Sequence, residues 1–208
     1  MLFKKKNIVI ICCILFFVSF ISQARADATF VILRHGEKNH PAKGQISCKG
    51  LNRALALPDL LLKKYGKPER IYAPNPSVML TEGEGAYPYM RPLATIEPLA
   101  IRIGEPVNVS WGLFDVEGVV SSLLLYPKGT YIIAWEHKMG ERIAKRLMSE
   151  YGGSANTVPT WARDDFDSLY VIRLTTDPKT NKNTIVFTKE QQNLEGLSDT
   201  CPSALVQK

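Results

Sequence analysis

Histidine and cysteine are scarce in this chain of 208 residues, which holds three of the first and four of the second. None of them stands at the close spacing that a metal site needs, so the sequence points to no metal and no cofactor. Apart from a short run at the N-terminus, Lys and Arg are interspersed with Asp and Glu, and no aromatic and basic motif recurs. Such a pattern argues against a nucleic-acid surface. Internal repeats, low-complexity tracts and linkers are lacking too.

Long apolar runs are nearly absent. The one that stands out, Ile8 to Phe20, follows Lys4, Lys5 and Lys6 and precedes Ala24-Arg25-Ala26. It is shorter than the ~20 residues a spanning helix requires. A basic start, a short apolar core and a small-x-small site describe a secretory signal peptide over residues 1–26, with the mature chain beginning at about Asp27. The expected location is therefore periplasmic or secreted, with no stable membrane span after cleavage. Removing those residues takes away four cations and no acid, so the formal charge falls from +6 to +2. What remains, residues 27–208, has the length of one domain with a proper core. Cys12 and Cys13 leave with the signal, and Cys48 and Cys201 stay. In an oxidising exported environment these two are expected to bridge, tying the C-terminal tail to the loop after the first strand.

β-branched and apolar residues then alternate with helical patterns. Strands are expected at Thr29 to Leu33, Arg70 to Tyr72, Val107 to Val109 and Thr130 to Trp135, with a closing hairpin of Tyr170 to Leu174 and Thr184 to Phe187. Helices are expected over Leu51 to Tyr65, with Pro58 kinking it, from Arg91-Pro92 to Ala100, over Glu117 to Tyr126 and over Gly140 to Tyr151. The Pro- and Gly-rich stretch Ala73 to Met90 reads as a long loop, of the kind that carries function. This alternation predicts a three-layer α/β/α sandwich around a mostly parallel sheet, with a C-terminal hairpin.

Within that frame, Val31-Ile32-Leu33-Arg34-His35-Gly36-Glu37 places an arginine and a histidine at the carboxyl end of a buried strand, where open α/β sheets gather ligand-binding groups. Imidazole is a nucleophile that titrates near neutrality, and a guanidinium can hold a phosphate or carboxylate through paired hydrogen bonds. His137 follows the strand ending at Trp135 in the same way. His40, in a polar loop, reads as a surface residue. Arg91 sits at a helix start, where its charge opposes the helix dipole unless an anion is held there.

The strand-end Arg34-His35-Gly36-Glu37, the downstream Ser47-x-x-Gly50-x-x-Arg53-Ala54, the Arg91-Pro92-x-Ala94-Thr95 that opens a helix, and His137 together resemble the histidine phosphatase superfamily, the family of phosphoglycerate mutases and acid phosphatases. The likeness runs from about Thr29 to about Leu147. It implies His35 as a nucleophile that becomes a phosphohistidine, with Arg34, Arg91 and His137 binding the phosphoryl oxygens. No metal is implied. The proton donor to the leaving group is implied to be a carboxylate after the third strand. Asp115 and Glu117 fit that place, Glu117 by its spacing from Arg91, with Glu37, Glu82 and Glu84 as further carboxylates. Arg53, inside a helix, reads as a surface charge or a strut. Ala73-Pro74-Asn75-Pro76 departs from the Ser-containing approach of the better-known mutases, so their substrates do not carry over. The expected activity is hydrolysis of a small phosphomonoester by an exported phosphatase. The alternatives are a phosphomutase of the same family and a silent phosphate- or phosphosugar-binding protein. Oligomeric state is left open.

Overall fold

In the computed structural model, residues 27–126 and 128–203 are described; the expected signal peptide lies outside them. Strand β1, Ala28–Arg34, occupies the centre of the molecule because nearly all of its side chains are apolar, on both faces. Phe30 and Ile32 point into one core, and Val31 and Leu33 into the other. A strand buried on both faces needs a helical layer on each, and the chain supplies two helices per face.

α1 (Cys48–Tyr65) and α2 (Arg91–Ile103) pack together on the Val31 face through Leu57, Leu61, Ile96 and Leu99. α3 (Val116–Leu124) and α4 (His137–Glu150) cover the Phe30 face through Val119, Leu123, Ile143 and Leu147. The other strands of the main sheet are β2 (Arg70–Tyr72), β5 (Val107–Asn108), β6 (Gly129–Trp135), β7 (Ser168–Thr176) and β8 (Asn183–Gln191). Their order is β5-β2-β6-β1-β7-β8. β5, β2, β6 and β1 are parallel; β7 runs antiparallel beside β1, and β8 pairs back on β7. The three layers, the mostly parallel sheet and the C-terminal hairpin are those the sequence predicts. Among the described residues no helix is long and apolar enough to cross a membrane.

Several local expectations change. Ala73 to Met90 is not a plain loop: β3 (Met79–Glu82) and β4 (Gly85–Pro88) fold it into a small antiparallel hairpin of its own. Helix α1 starts at Cys48, three residues before Leu51, because Ser47 caps it by accepting from the Gly50 amide at 3.2 Å. It stays one helix through Pro58. Its buried stripe holds Arg53, Ala54, Leu57 and Leu61, while Leu55 turns outward. Helix α4 starts at His137, with the preceding Glu136 as its cap. Cys48 and Cys201 are joined by a disulfide, their Cα atoms 4.5 Å apart.

Candidate active site

β1 and β6 are neighbours in perfect step, with Arg34 paired opposite Trp135 and the His35 amide donating to the Trp135 carbonyl at 3.0 Å. Both strands therefore end at the same level. Arg34 and His35 leave the end of one, and Glu136 and His137 the end of the other. They line a single cavity of about 1150 Å³ together with Arg91, Lys38, Phe114, Met139, Arg163 and Phe166.

His35 is 2% exposed. Its Nδ1 lies 2.8 Å from the Gly36 carbonyl, which can only accept, so Nδ1 carries the proton and Nε2 keeps its lone pair. Burial, opposed by that hydrogen bond and reinforced by the nearby charges of Arg91, Arg34 and Lys38, pushes the imidazole well below the usual histidine value. The ring is thus held neutral, with the Nε2 lone pair unprotonated. The turn that holds it is set by close approach of backbone. A Cβ on Gly36 would come 2.9 Å from Gly50 Cα, and one on Gly50 would meet the Glu37 carbonyl. Thr95 fastens the same turn to α2, accepting from the Gly36 amide at 2.8 Å and donating to the Arg91 carbonyl at 2.8 Å.

Arg34 lies flat against Phe166, its Cζ 3.6 Å from the ring centroid, and donates from Nη1 to the Arg163 and Asp165 carbonyls. Burial brings its pKa down to about 10, which leaves it charged at neutral pH. Arg91 stands over the Tyr89 ring, and its Nη1 is held by Glu82 at 2.8–2.9 Å. Glu82 also accepts from the Gly44 amide at 2.8 Å and from Lys38 at 3.3 Å. Burial works against its charge, yet these donors bring the carboxyl down to about 2. Helix α2 has no acid in its first turn and no side-chain cap, so Glu82 supplies from another element the negative charge that a helix start favours.

After these contacts, four buried nitrogens have no hydrogen-bond partner among the described residues: Arg34 Nε, Arg91 Nε and both ring nitrogens of His137. Buried polar atoms are rarely left unpaired, and here they belong to three groups around one cavity. Glu136 Oε1 sits 2.5 Å from His137 Nδ1, outside hydrogen-bond geometry, while Oε2 accepts the Met139 amide at 3.0 Å.

The expected proton donor is placed elsewhere. Glu117 is exposed in the first turn of α3 and pairs with Arg146 at 3.0 Å, away from the cavity. Asp115 caps α3 by accepting the Gly118 amide at 2.9 Å. Glu37 lines the cavity, but both its oxygens are taken by Arg53 at 2.7 and 3.0 Å. Glu84 is exposed in the turn between β3 and β4. His40, though exposed, lies on the cavity rim.

Arg53 is a strut. It is 1% exposed and binds Asp167 at 3.1 Å, Gln192 at 2.8 Å and the Leu194 carbonyl at 3.2 Å, besides Glu37. Phe166, Tyr89, Glu82 and Glu136 are the contributors that sequence reasoning missed in these roles. Phe166 and Tyr89 had no signal in the sequence. For Glu136, its place between a strand and His137 was such a signal.

No protein-family model and no curated protein matches the chain. Solved structures do match its fold. A chain named as a phosphohistidine phosphatase SixA from Nakamurella multipartitia superposes with a TM-score of 0.53 and 11% identity, over 79% of this chain and 95% of that one. The protein histidine phosphatase SixA complexed with tungstate gives 0.50 and 14%, over 79% and 97%. Mycobacterial hydrolase 2 gives 0.52 and 13%, over 76% and 88%. With strand-end histidines, two buried arginines and these neighbours in view, the chain has the fold of the histidine phosphatase superfamily.

Proposed function

We propose that the protein hydrolyses a small phosphomonoester through a phosphohistidine on His35. The observation that carries this reading is the set of unpaired buried nitrogens of Arg34, Arg91 and His137 around a neutral histidine whose Nδ1 is already engaged. A phosphoryl group offers three oxygens that such donors fit, and two guanidinium charges offset its negative charge in a water-poor site. The lone pair of His35 Nε2 attacks phosphorus in line with the leaving oxygen, and water then breaks the N–P bond. The protein's own cations meet the phosphoryl charge, so the scheme calls for no metal ion.

On this reading the protein acts outside the cytoplasm. Two features support that: residues 1–26 carry the pattern of a signal peptide, and a Cys48–Cys201 disulfide belongs to an oxidising compartment.

The test is brief incubation of the purified protein with a radiolabelled aryl phosphate, followed by denaturation. Acid-labile label on the wild type, none on His35→Ala, and release of inorganic phosphate are expected. Label with transfer to a second hydroxyl instead of water would make it a mutase. Binding of phosphate with no label and no turnover over a broad panel would leave a phosphate-binding protein.

A further inference from the structure

Donors for the phosphoryl oxygens do not solve the leaving group's problem. An alkoxide expelled from phosphorus needs a proton, and the residues that could deliver it can be counted. Glu117, Asp115 and Glu84 do not line the cavity. Glu37 is forked onto Arg53, and Glu82 is held ionised by Arg91, Lys38 and the Gly44 amide. Two carboxylates remain on the cavity wall, Glu136 and Asp164. Asp164 is exposed, and neither histidine has it as a hydrogen-bond or ion-pair partner. Glu136 is half-buried, and its Oε1 is 2.5 Å from His137 Nδ1.

Resting on the proposed phosphatase reading, we infer that His137 is the proton donor to the leaving oxygen and that Glu136 is the positioning residue that makes it one. A carboxylate this close to Nδ1 favours a proton on the ring through its charge, which leaves the opposite nitrogen, Nε2, for the leaving oxygen. Both ring nitrogens lack other partners, so nothing competes for either.

The groups facing His137 are Glu136 at the end of β6, Lys138 on α4, Arg34 on β1 and Arg163 before β7. In the protein alone, burial and the three cations outweigh Glu136 and hold the ring below the usual histidine value. A phosphate ester brings negative charge against the same ring and turns the balance toward the imidazolium.

In the first step His35 Nε2 forms the N–P bond while the P–O bond breaks. The leaving oxygen keeps that electron pair and takes the proton from His137 Nε2, leaving neutral imidazole. In the second step water attacks phosphorus and gives its proton to His137. The N–P electron pair returns to His35, and inorganic phosphate is released.

The experiment compares kcat/KM of the full chain and of Glu136→Gln across phosphate esters of rising leaving-group pKa. p-Nitrophenyl phosphate stands at one end and glycerol phosphate at the other. Gln retains an oxygen for the Met139 amide, so the cap of α4 survives. General acid assistance is commonly worth 10²-fold or more, so E136Q is expected to lose about a hundredfold on the alkyl ester and under about threefold on p-nitrophenyl phosphate. The alkaline limb of kcat moves to lower pH, since a partner that raised the His137 pKa is gone. Glu136→Asp restores part of the alkyl activity, and Asp164→Asn leaves the leaving-group dependence unaltered. Equal loss on both esters overturns the inference, as does a selective loss in D164N. If the wild type forms no phosphoenzyme, the phosphatase reading itself falls, which is a different result.

Discussion

Arg53 shows how one buried charge can brace a cavity that it does not line. Its guanidinium is surrounded by Glu37, Asp167, Gln192 and the Leu194 carbonyl, so its removal leaves two carboxylates short of their partner in a dry setting. Breaking a buried pair in this way costs about 3–5 kcal/mol. Arg53→Met is expected to lose about that much in urea denaturation and to slow labelling of His35, two residues from Glu37. At this scale the sequence was informative where chemistry meets a strand end. Arg34, His35 and His137 could be placed because each follows a β-branched run, and Arg91 because a cation at a helix start asks for an anion. Phe166 and Tyr89 were out of reach. Phe166 packs against Arg34 only because segments far apart in the chain meet, and Tyr89 lies under Arg91, two residues on, only through the turn into α2; an aromatic residue in a loop carries no mark of either outcome.

The elements explain the miss at Glu117. Spacing from Arg91 put it in the segment after the third strand, but α3 is turned so that its apolar side, Val116, Val119, Val120 and Leu123, faces the sheet. Glu117, next to Val116 yet off that stripe, then faces Arg146 and solvent. The β3–β4 hairpin escaped notice for another reason. Four-residue strands in a stretch rich in Pro and Gly give too short a period to read. The hairpin matters to the site because Glu82 is its contact with Arg91. A carboxyl lowered in the folded protein adds stability that is complete above its unfolded pKa and is lost as pH falls through the folded one. The window for Glu82 runs from 4.5 down to about 2. Thermal melts of wild type and Glu82→Gln are expected to differ by a constant amount above pH 5, and the gap is expected to close toward pH 2.

On the scale of the whole molecule, the disulfide joins residues 153 positions apart, so it closes most of the folded chain into one loop. Restricting so long a loop in the unfolded state is worth up to about 5 kcal/mol in the chain-entropy account. Reduction is expected to lower the melting temperature clearly, and the double variant Cys48→Ser, Cys201→Ser is expected to match the reduced protein. The same tail is fastened again nearby, where Asn52 donates to the Ser198 and Thr200 carbonyls at 2.8 and 2.9 Å. The layer order was legible because β-α alternation admits few arrangements; the attachment of the tail to α1 was legible only through its cysteines.

The Arg53 strut also has a meaning in time. The turn that carries His35 is among the first parts of the domain to be synthesised, while Asp167, Gln192 and Leu194, which brace it through Arg53, are among the last. On the proposed reading, a partly made chain therefore carries Arg34, His35, Arg91 and His137 before it carries the residues that brace the His35 turn.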